Sequence, residues 1–524
     1  MRKKAYIPLI SAISIVIGMA IGFFFLKGLA NYKNANDFKV NNKLNYVIEL
    51  INKEYVDKTN ADSLTDVAII SLLTELDPHS VYLTAEQVKK ENENINGNFD
   101  GIGVQFHLAG DSIIVVRTIS GGPSEKVGIL AGDRIVKVNG KKLKKPTNEM
   151  VMNLLKGARG TKVNLSIFRS GVNHLIDFTI TRDVITTKAV SYFSMLDNKT
   201  GYIKLEEFSA NSAKEVSDAL MELKQEGMTQ LIFDLRNNGG GLLDQAVQIA
   251  DEFVPQGDLI VYTDGRFRGR NNAYATSGGL FEKGKIIVLI NEMSASASEI
   301  VSGCLQDNDR ARIIGRRTFG KGLVQEQKQL PDNSAIRLTV ARYFTPSGRC
   351  IQRPYVKGDP DKYFEEFVNR FEEGNPDTIK HDNKLRFKTK KGRYVYGGGG
   401  IEPDITLPYS VLKRSSYFSS LFKNGLIYKY CFDYVDANRK IFKQYKDGDD
   451  FIKRYKVSNN VYKNLLRYAD KQGASVKDLR AKEVSEIKAL MKGYIAQNLY
   501  EDKYFYQIYT KQDLELIQAI SYLK

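Results

Sequence analysis

Three apolar stretches in the middle of the chain, LIFDLR at 231–236, KIIVLI at 285–290 and ARIIG at 311–315, set the terms for everything around them. Each is shorter than an average helix and dominated by Ile, Leu and Val rather than alternating with polar residues. Such runs read as strands, LIFDLR as a buried one. The intervening segments agree: Ala213 to Lys224 and Leu242 to Phe253 read as helices, GYIKLEEF at 201–208 reads as a strand, and a further helix follows the serine-rich turn after KIIVLI. Residues 184–409 are therefore predicted to form an α/β layered core. Within it, about 355–390 reads as an insertion, after which KTKKGRYVYGGGGIEPDI at 388–405 returns to the domain.

The N-terminus carries a different constraint. Arg2, Lys3 and Lys4 precede an uncharged run from Ala5 to Leu26, whose 22 residues suffice for one transmembrane helix. The basic flank predicts a cytoplasmic N-terminus and an exported remainder. The competing reading of residues 1–30 is a signal peptide cleaved near Ala30, although the apolar run exceeds the usual core of roughly 7–15 residues. Residues 31–95 read as a helical unit, with one stripe through Leu44, Val47, Ile48, Ile51 and Tyr55 and a second through Leu64, Val67, Ala68 and Leu72 to Leu76. His79, in the LDPHS turn at 76–80, is expected to make structural hydrogen bonds.

Residues 410–524 read as a helical, basic extension, with Val484, Ile487, Leu490, Met491, Tyr494 and Ile495 at helical spacing. Much of the net charge of +16 comes from this end. An anionic bilayer nearby would tolerate such a surface. No nucleic-acid motif accompanies it, so a solvated basic face is expected and nucleic acid is not an expected partner. Cys304, Cys350 and Cys431 are far apart without CxxC spacing, which argues against a disulfide scaffold and against zinc.

From 96 to 183 short alternating strands and glycine turns take over. Gly128 to Gly140 resembles PDZ domains, with a turn at Ala131, Gly132 and Asp133, then Ile135 and Val138, then Asn139-Gly140 as a tight hairpin turn. Upstream, Gly101, Ile102, Gly103 and Val104 resemble the carboxylate-binding loop of that family. Glycines let consecutive N–H groups turn toward one anion, and the strand edge that follows can pair with an extended peptide.

Three stretches of the core could carry chemistry. NEMSASASE at 291–299 lies between a strand and a helix, where a serine hydroxyl meets the helix dipole and free N–H groups. Ser294, Ser296 and Ser298 could equally cap that helix, and the segment alone leaves both readings open. TFGKGLVQ carries Lys321 and Gln325. A lysine ordinarily has a pKa near ~10.4, but desolvated beside a hydroxyl its neutral form can accept the proton. DLRNNGGGLL at 234–243 offers glycines that could bring an N–H close to a substrate carbonyl. It fits neither GxGxxG nor GxxxxGK[ST], which speaks against nucleotide binding.

Together with LDPHS, GIGV and AGDRI, FTPSGRCIQ at 344–352 and GGGIEPD at 398–404, these stretches resemble the C-terminal processing peptidases, or tail-specific proteases, over about residues 42–408. The resemblance implies a crotonase-like layered α/β core with an inserted PDZ-like domain, and a serine endopeptidase that needs no metal or organic cofactor. By it Ser296 is the nucleophile, Lys321 is the general base and Gln325 holds the lysine amine. Ala297, with Gly240 or Gly241, would form the oxyanion hole. Gly101, Ile102, Gly103 and Val104 would bind the C-termini of substrates that end in apolar residues. Many relatives carry a proline where this chain has Gly239, and the extra freedom predicts an oxyanion hole less rigid before substrate binds. His79, His107, His174 and His381 are scattered outside the core motifs, so a Ser-His-Asp triad is not expected. An inactive PDZ scaffold is the rival reading, against which stand the filled serine, lysine and glutamine positions; an esterase or amidase using the same dyad is a second. A homo-oligomer or an activator protein are the partner classes left open.

Overall fold

The computed structural model describes residues 43–371, 382–407, 414–474 and 479–523, which divide into two compact units. The run from Ala5 to Leu26, its basic flank, the alternative cleavage point at Ala30 and His381 lie outside the described residues. Among the described residues no helix is long and apolar enough to cross a membrane.

One unit ends at Tyr82 and also takes in Lys357–Pro360. Its helices are Lys43–Glu54 and Ala61–Thr74, the second opened by Asn60, whose side chain accepts from the N–H groups of Asp62 and Ser63. Both stripes fall on helices, as expected, and are largely exposed: no residue of the first helix is buried, and in the second only Leu73 is. Periodicity marks an apolar face but not what covers it. In the LDPHS turn the Asp77 carboxylate accepts from the N–H groups of His79 and Ser80 and from the Ser80 hydroxyl.

The other unit runs from Leu83 to Val356 and on from Asp361. Its first part is a wholly antiparallel sheet with strands in the order Val104–Ala109, Ser112–Thr118, Arg134–Val138, Lys162–Phe168, Ile176–Thr181. The helix Asn148–Leu155 closes one face, burying Val151 and Leu155 among Ile113, Val115, Ile135 and Val163. Each such fully buried side chain contributes about 1.5–3 kcal/mol. The chain enters along Asn98–Gly101 and leaves along Asp183–Thr186, and these two strands pair with each other.

The second part is a six-stranded sheet in the order Val190–Met195, Thr200–Leu205, Gln230–Asp234, Lys285–Ile290, Arg312–Gly315, Ile405–Thr406. Its first pair is antiparallel and the rest are parallel. The three apolar runs are thus adjacent central strands, and the last strand is the return after the insertion. Phe233 and Val288 face the helices Ser212–Gln225, Leu243–Asp251 and Ala297–Asp307, while Ile232, Ile287 and Ile314 face the other way and meet Leu516, Ala519 and Leu523. Both faces are covered, which is why these strands carry no polar alternation. An antiparallel sheet beside the core includes Leu323–Gln329, Ala335–Phe344, Leu259–Gly265 and Gly269–Tyr274.

The third part is helical, as expected. Ala481–Leu499 buries Ile487, Leu490, Met491 and Ile495 against Leu426–Phe442 and its neighbours, forming a hydrophobic core of its own. Cys304 and Cys431 are buried and all three cysteines are free.

Candidate active site

Because Gln230–Asp234, Lys285–Ile290 and Arg312–Gly315 run parallel and adjacent, the loops leaving their C-terminal ends emerge at one edge of the sheet. Open α/β sheets form their crevices there. The three loops, 235–242, 291–296 and 316–322, overlap the three stretches singled out above, with Gln325 on the strand Leu323–Gln329 that follows the third.

The serine turn is stitched rather than merely capped. The Ser294 hydroxyl donates to the Leu235 carbonyl (2.8 Å) and accepts from the Asn291 N–H, while the Ser298 hydroxyl donates to the Asn238 carbonyl (2.8 Å). Both serines are buried. Ser296 between them is half-buried and lies at φ 54°, ψ −112°, a conformation that costs an L-residue about 1–3 kcal/mol. The turn therefore holds the middle serine, at the start of the helix Ala297–Asp307, in a strained backbone that presents it at the surface.

Asn238 organises the glycine loop. Its side chain donates to the Leu205 carbonyl (3.0 Å) and accepts from the Gly240 N–H (2.9 Å), and its carbonyl accepts from the Ala295 N–H (3.1 Å). Gly240, at φ 101°, lies so close to the serine that an added Cβ would be 2.6 Å from the Ala295 carbonyl oxygen and 2.8 Å from the Ser296 Cβ. Its N–H is committed to Asn238. Gly241 forms a parallel bridge with Phe208 through the flanking Gly240 carbonyl and Leu242 N–H, so its own N–H donates to no acceptor among the described residues. The Ala297 N–H, in the first turn of its helix, likewise donates to none. Of the two glycines left open by the sequence, Gly241 keeps the available donor. Gly239 does not adopt a positive φ and a Cβ there would touch nothing within 4 Å.

Lys321 is half-buried and its Nζ donates to Gln325 Oε1 at 2.7 Å, so the expected lysine–glutamine pair is in contact. What ties this loop to the serine turn is Glu299, which is fully buried. Its Oε2 accepts from the N–H groups of Ser296 (2.8 Å) and Lys321 (2.9 Å), and its Oε1 accepts from the Gly320 N–H (2.8 Å) and the Thr318 hydroxyl (2.5 Å). Burial pushes its pKa up to about 7 even against these four donors. Tyr343, buried on the strand Ala335–Phe344, makes the second tie, donating toward the carbonyls of both Lys321 (2.7 Å) and Ser296 (3.2 Å). Burial and the Glu299 carboxylate raise its pKa well above the ordinary tyrosine value, so it remains a donor.

Glu299, Asn238 and Tyr343 had no assigned role in the sequence reading. Glu299 could have been found: Ser296 followed three residues later by Glu is the capping-box spacing. Nothing local marks Asn238 or Tyr343.

In the antiparallel domain, Gly101 ends a strand, Ile102 is buried, Gly103 has φ 70° and Val104 opens the edge strand. The Ile102 carbonyl accepts from the N–H (3.0 Å) and hydroxyl (2.6 Å) of Ser124, and the Gly103 carbonyl accepts from the Ile119 N–H (2.9 Å). The loop carbonyls are thus pinned inward by fixed donors.

Comparison with known proteins agrees with these parts. Residues 199–361 match the model of Peptidase family S41, residues 101–180 match the PDZ domain, and residues 417–501 match a family of unknown function. The carboxy-terminal processing protease CtpA of Bacillus subtilis (strain 168) is 36% identical over 362 residues, covering 68% of this chain and 77% of that protein. A probable CtpA-like serine protease of Staphylococcus aureus (strain MRSA252) is 35% identical over 370 residues, covering 68% of this chain and 73% of its own. Among solved structures, the photosystem II D1 C-terminal processing protease is 26% identical, with 71% of this chain and 93% of that chain aligned at a TM-score of 0.37.

Proposed function

Since the chain belongs to peptidase family S41 and to its carboxy-terminal processing proteases, and is a serine-type peptidase, we propose that it cleaves peptide bonds with a Ser296–Lys321 dyad after its PDZ domain captures a substrate C-terminus. The observation that carries this reading is the double tie of Glu299 and Tyr343 to the backbones of both residues. A carboxylate and a phenol committed to holding one serine and one lysine together are hard to explain for a scaffold, and the inactive-scaffold alternative has no support in the comparisons.

In the proposed mechanism, neutral Lys321 takes the Ser296 hydroxyl proton as the oxygen attacks the peptide carbonyl. Gln325 keeps the lysine amine oriented, and the N–H groups of Ala297 and Gly241 stabilise the oxyanion. Lys321 then gives its proton to the leaving amine. Water enters, loses a proton to Lys321 and attacks the acyl-enzyme, and the proton returns to Ser296. The loop from Gly101 to Val104 binds the terminal carboxylate and the edge strand Val104–Ala109 pairs with the peptide, which favours proteins with apolar C-termini over simple esters or amides as substrates. A crotonase-like layering of the core and anchorage through Ala5–Leu26, with the catalytic part outside a bacterial inner membrane, belong to the same reading. A homo-oligomer or activator partner is compatible with it.

The test is cleavage of an unstructured protein with an apolar C-terminus by the parent and by the Ser296→Ala and Lys321→Ala variants. Both substitutions are expected to abolish turnover in folded protein. Full activity in either removes the dyad.

A further inference from the structure

The helical region from 414 to 523 has its own core, yet it grips both other parts of its unit. On the PDZ side, Phe432 covers Ile114 and Val116 on the outer face of the sheet, and the His107 ring lies 4.5 Å from that of Phe432. Arg134 pairs with Asp436 (2.5 Å) and Arg117 with Asp502. On the core side, Leu516, Ala519 and Leu523 pack under the sheet, the Tyr506 ring stacks on Tyr192 at 5.3 Å, and Lys285 Nζ donates to the Leu523 carbonyl (2.9 Å).

Within this apolar seam lies a buried charge cluster. The Arg236 guanidinium is shared by Asp234 (2.6 Å), Asp513 (2.6 Å) and Glu515 (2.7 Å). The other oxygen of Glu515 pairs with Arg316, which also bonds Glu292 at 2.8 Å. Arg236 begins the loop to the glycines, and Arg316 begins the loop to Lys321. One carboxylate from the far end of the chain therefore joins the roots of both catalytic loops. Docking alone is poorly served by such a cluster, because burying charges carries a desolvation cost that apolar contacts do not. What a shared buried carboxylate adds is a fixed spacing between two arginines.

We propose that the C-terminal region is a built-in splint, in which Glu515, supported by Asp513, positions the oxyanion loop and the lysine loop relative to each other. This rests on the dyad reading given above. Glu515 touches neither substrate nor reacting atoms; it acts through Arg236 and Arg316 as a positioning residue. The residues that make the splint, Asp513 and Glu515, follow the stretch 417–501 that matches a family of unknown function.

The test uses the full chain and a fluorogenic peptide with a free apolar C-terminus, with active sites counted by the burst of a serine-directed phosphonate. Glu515→Gln is expected to lower kcat per counted site about tenfold or more with KM within twofold. Glu515→Asp, which keeps the charge on a shorter arm, is expected to recover part of the loss. Should Glu515→Gln not fold, Asp513→Asn reads the same interaction, with an expected loss of about threefold or more. A kcat per counted site equal to the parent's, whether or not fewer sites are active, overturns the proposal. Ser296→Ala and Lys321→Ala assayed alongside separate the two ideas. If either retains turnover, the dyad reading fails. If both are inactive while Glu515→Gln matches the parent, the splint alone fails.

Discussion

Glu299→Gln probes the tie between Ser296 and Lys321, the proposed nucleophile and base, with little change of shape. The carboxylate accepts from four groups, two on each oxygen. Glutamine offers one oxygen and one NH2 group, so one pair of donors faces another donor. With the NH2 on the Thr318 side, the threonine hydroxyl can turn and accept, and the net loss is the bond from Gly320, next to Lys321. A hydrogen bond to a charged group contributes about 1.5–3 kcal/mol, which corresponds to roughly a ten- to hundredfold loss if it appears in kcat. The pH profile adds a second signature. Ionised Glu299 can serve all four donors, whereas protonated Glu299 cannot, so kcat in the parent should climb as pH rises through about 7. In Glu299→Gln that limb should vanish while any limb from Lys321 persists. Steady-state rates from pH 5 to 10 on one peptide are the assay. A variant within twofold of the parent, with the limb at about 7 intact, would refute the reasoning. Since the folded state keeps a proton that the unfolded chain has released above its ordinary value of 4.5, stability should also fall between about pH 4.5 and 7 and then level off. Thermal melts across that range check the sign.

Further outcomes follow from the same geometry. Gly240→Ala forces a Cβ to 2.6 Å from the Ala295 carbonyl oxygen at a positive φ, so turnover should drop at least a hundredfold while far-UV circular dichroism stays unchanged. Tyr343→Phe removes the donor shared by Lys321 and Ser296 and should lower kcat about three- to thirtyfold with KM little changed, read by steady-state kinetics. Against the expectation of a looser loop at Gly239, Gly239→Pro should leave kcat within twofold, because an added Cβ there meets nothing within 4 Å and Asn238 already holds the loop; a loss beyond tenfold in single-turnover rates would contradict that.

Much of the core was legible because its signals are local. Strands buried on both faces show as solid apolar runs, and a serine turn between strand and helix is contiguous in sequence. The PDZ turns are equally local. Residues joined across distance were not legible. Nothing near Tyr343 marks that its hydroxyl reaches back to Ser296 and Lys321, and no pattern links Glu515 to Arg236, 279 residues earlier. The choice between Gly240 and Gly241 was closed to the sequence as well, because it depends on where the Asn238 side chain points. The apolar stripes between Leu44 and Leu76 marked helices correctly, but spacing alone did not tell that their apolar faces are largely exposed.

The central claim is that Ser296 is a nucleophile activated by Lys321, and it is tested most directly by labelling. Parent, Ser296→Ala and Lys321→Ala proteins are incubated with a fluorophosphonate near pH 8, digested and mapped by mass spectrometry. A single adduct on the peptide carrying Ser296, absent from Ser296→Ala and strongly slowed in Lys321→Ala, is the predicted result. An adduct on another residue, or one that forms on Ser296 at the parent rate without Lys321, would contradict the account.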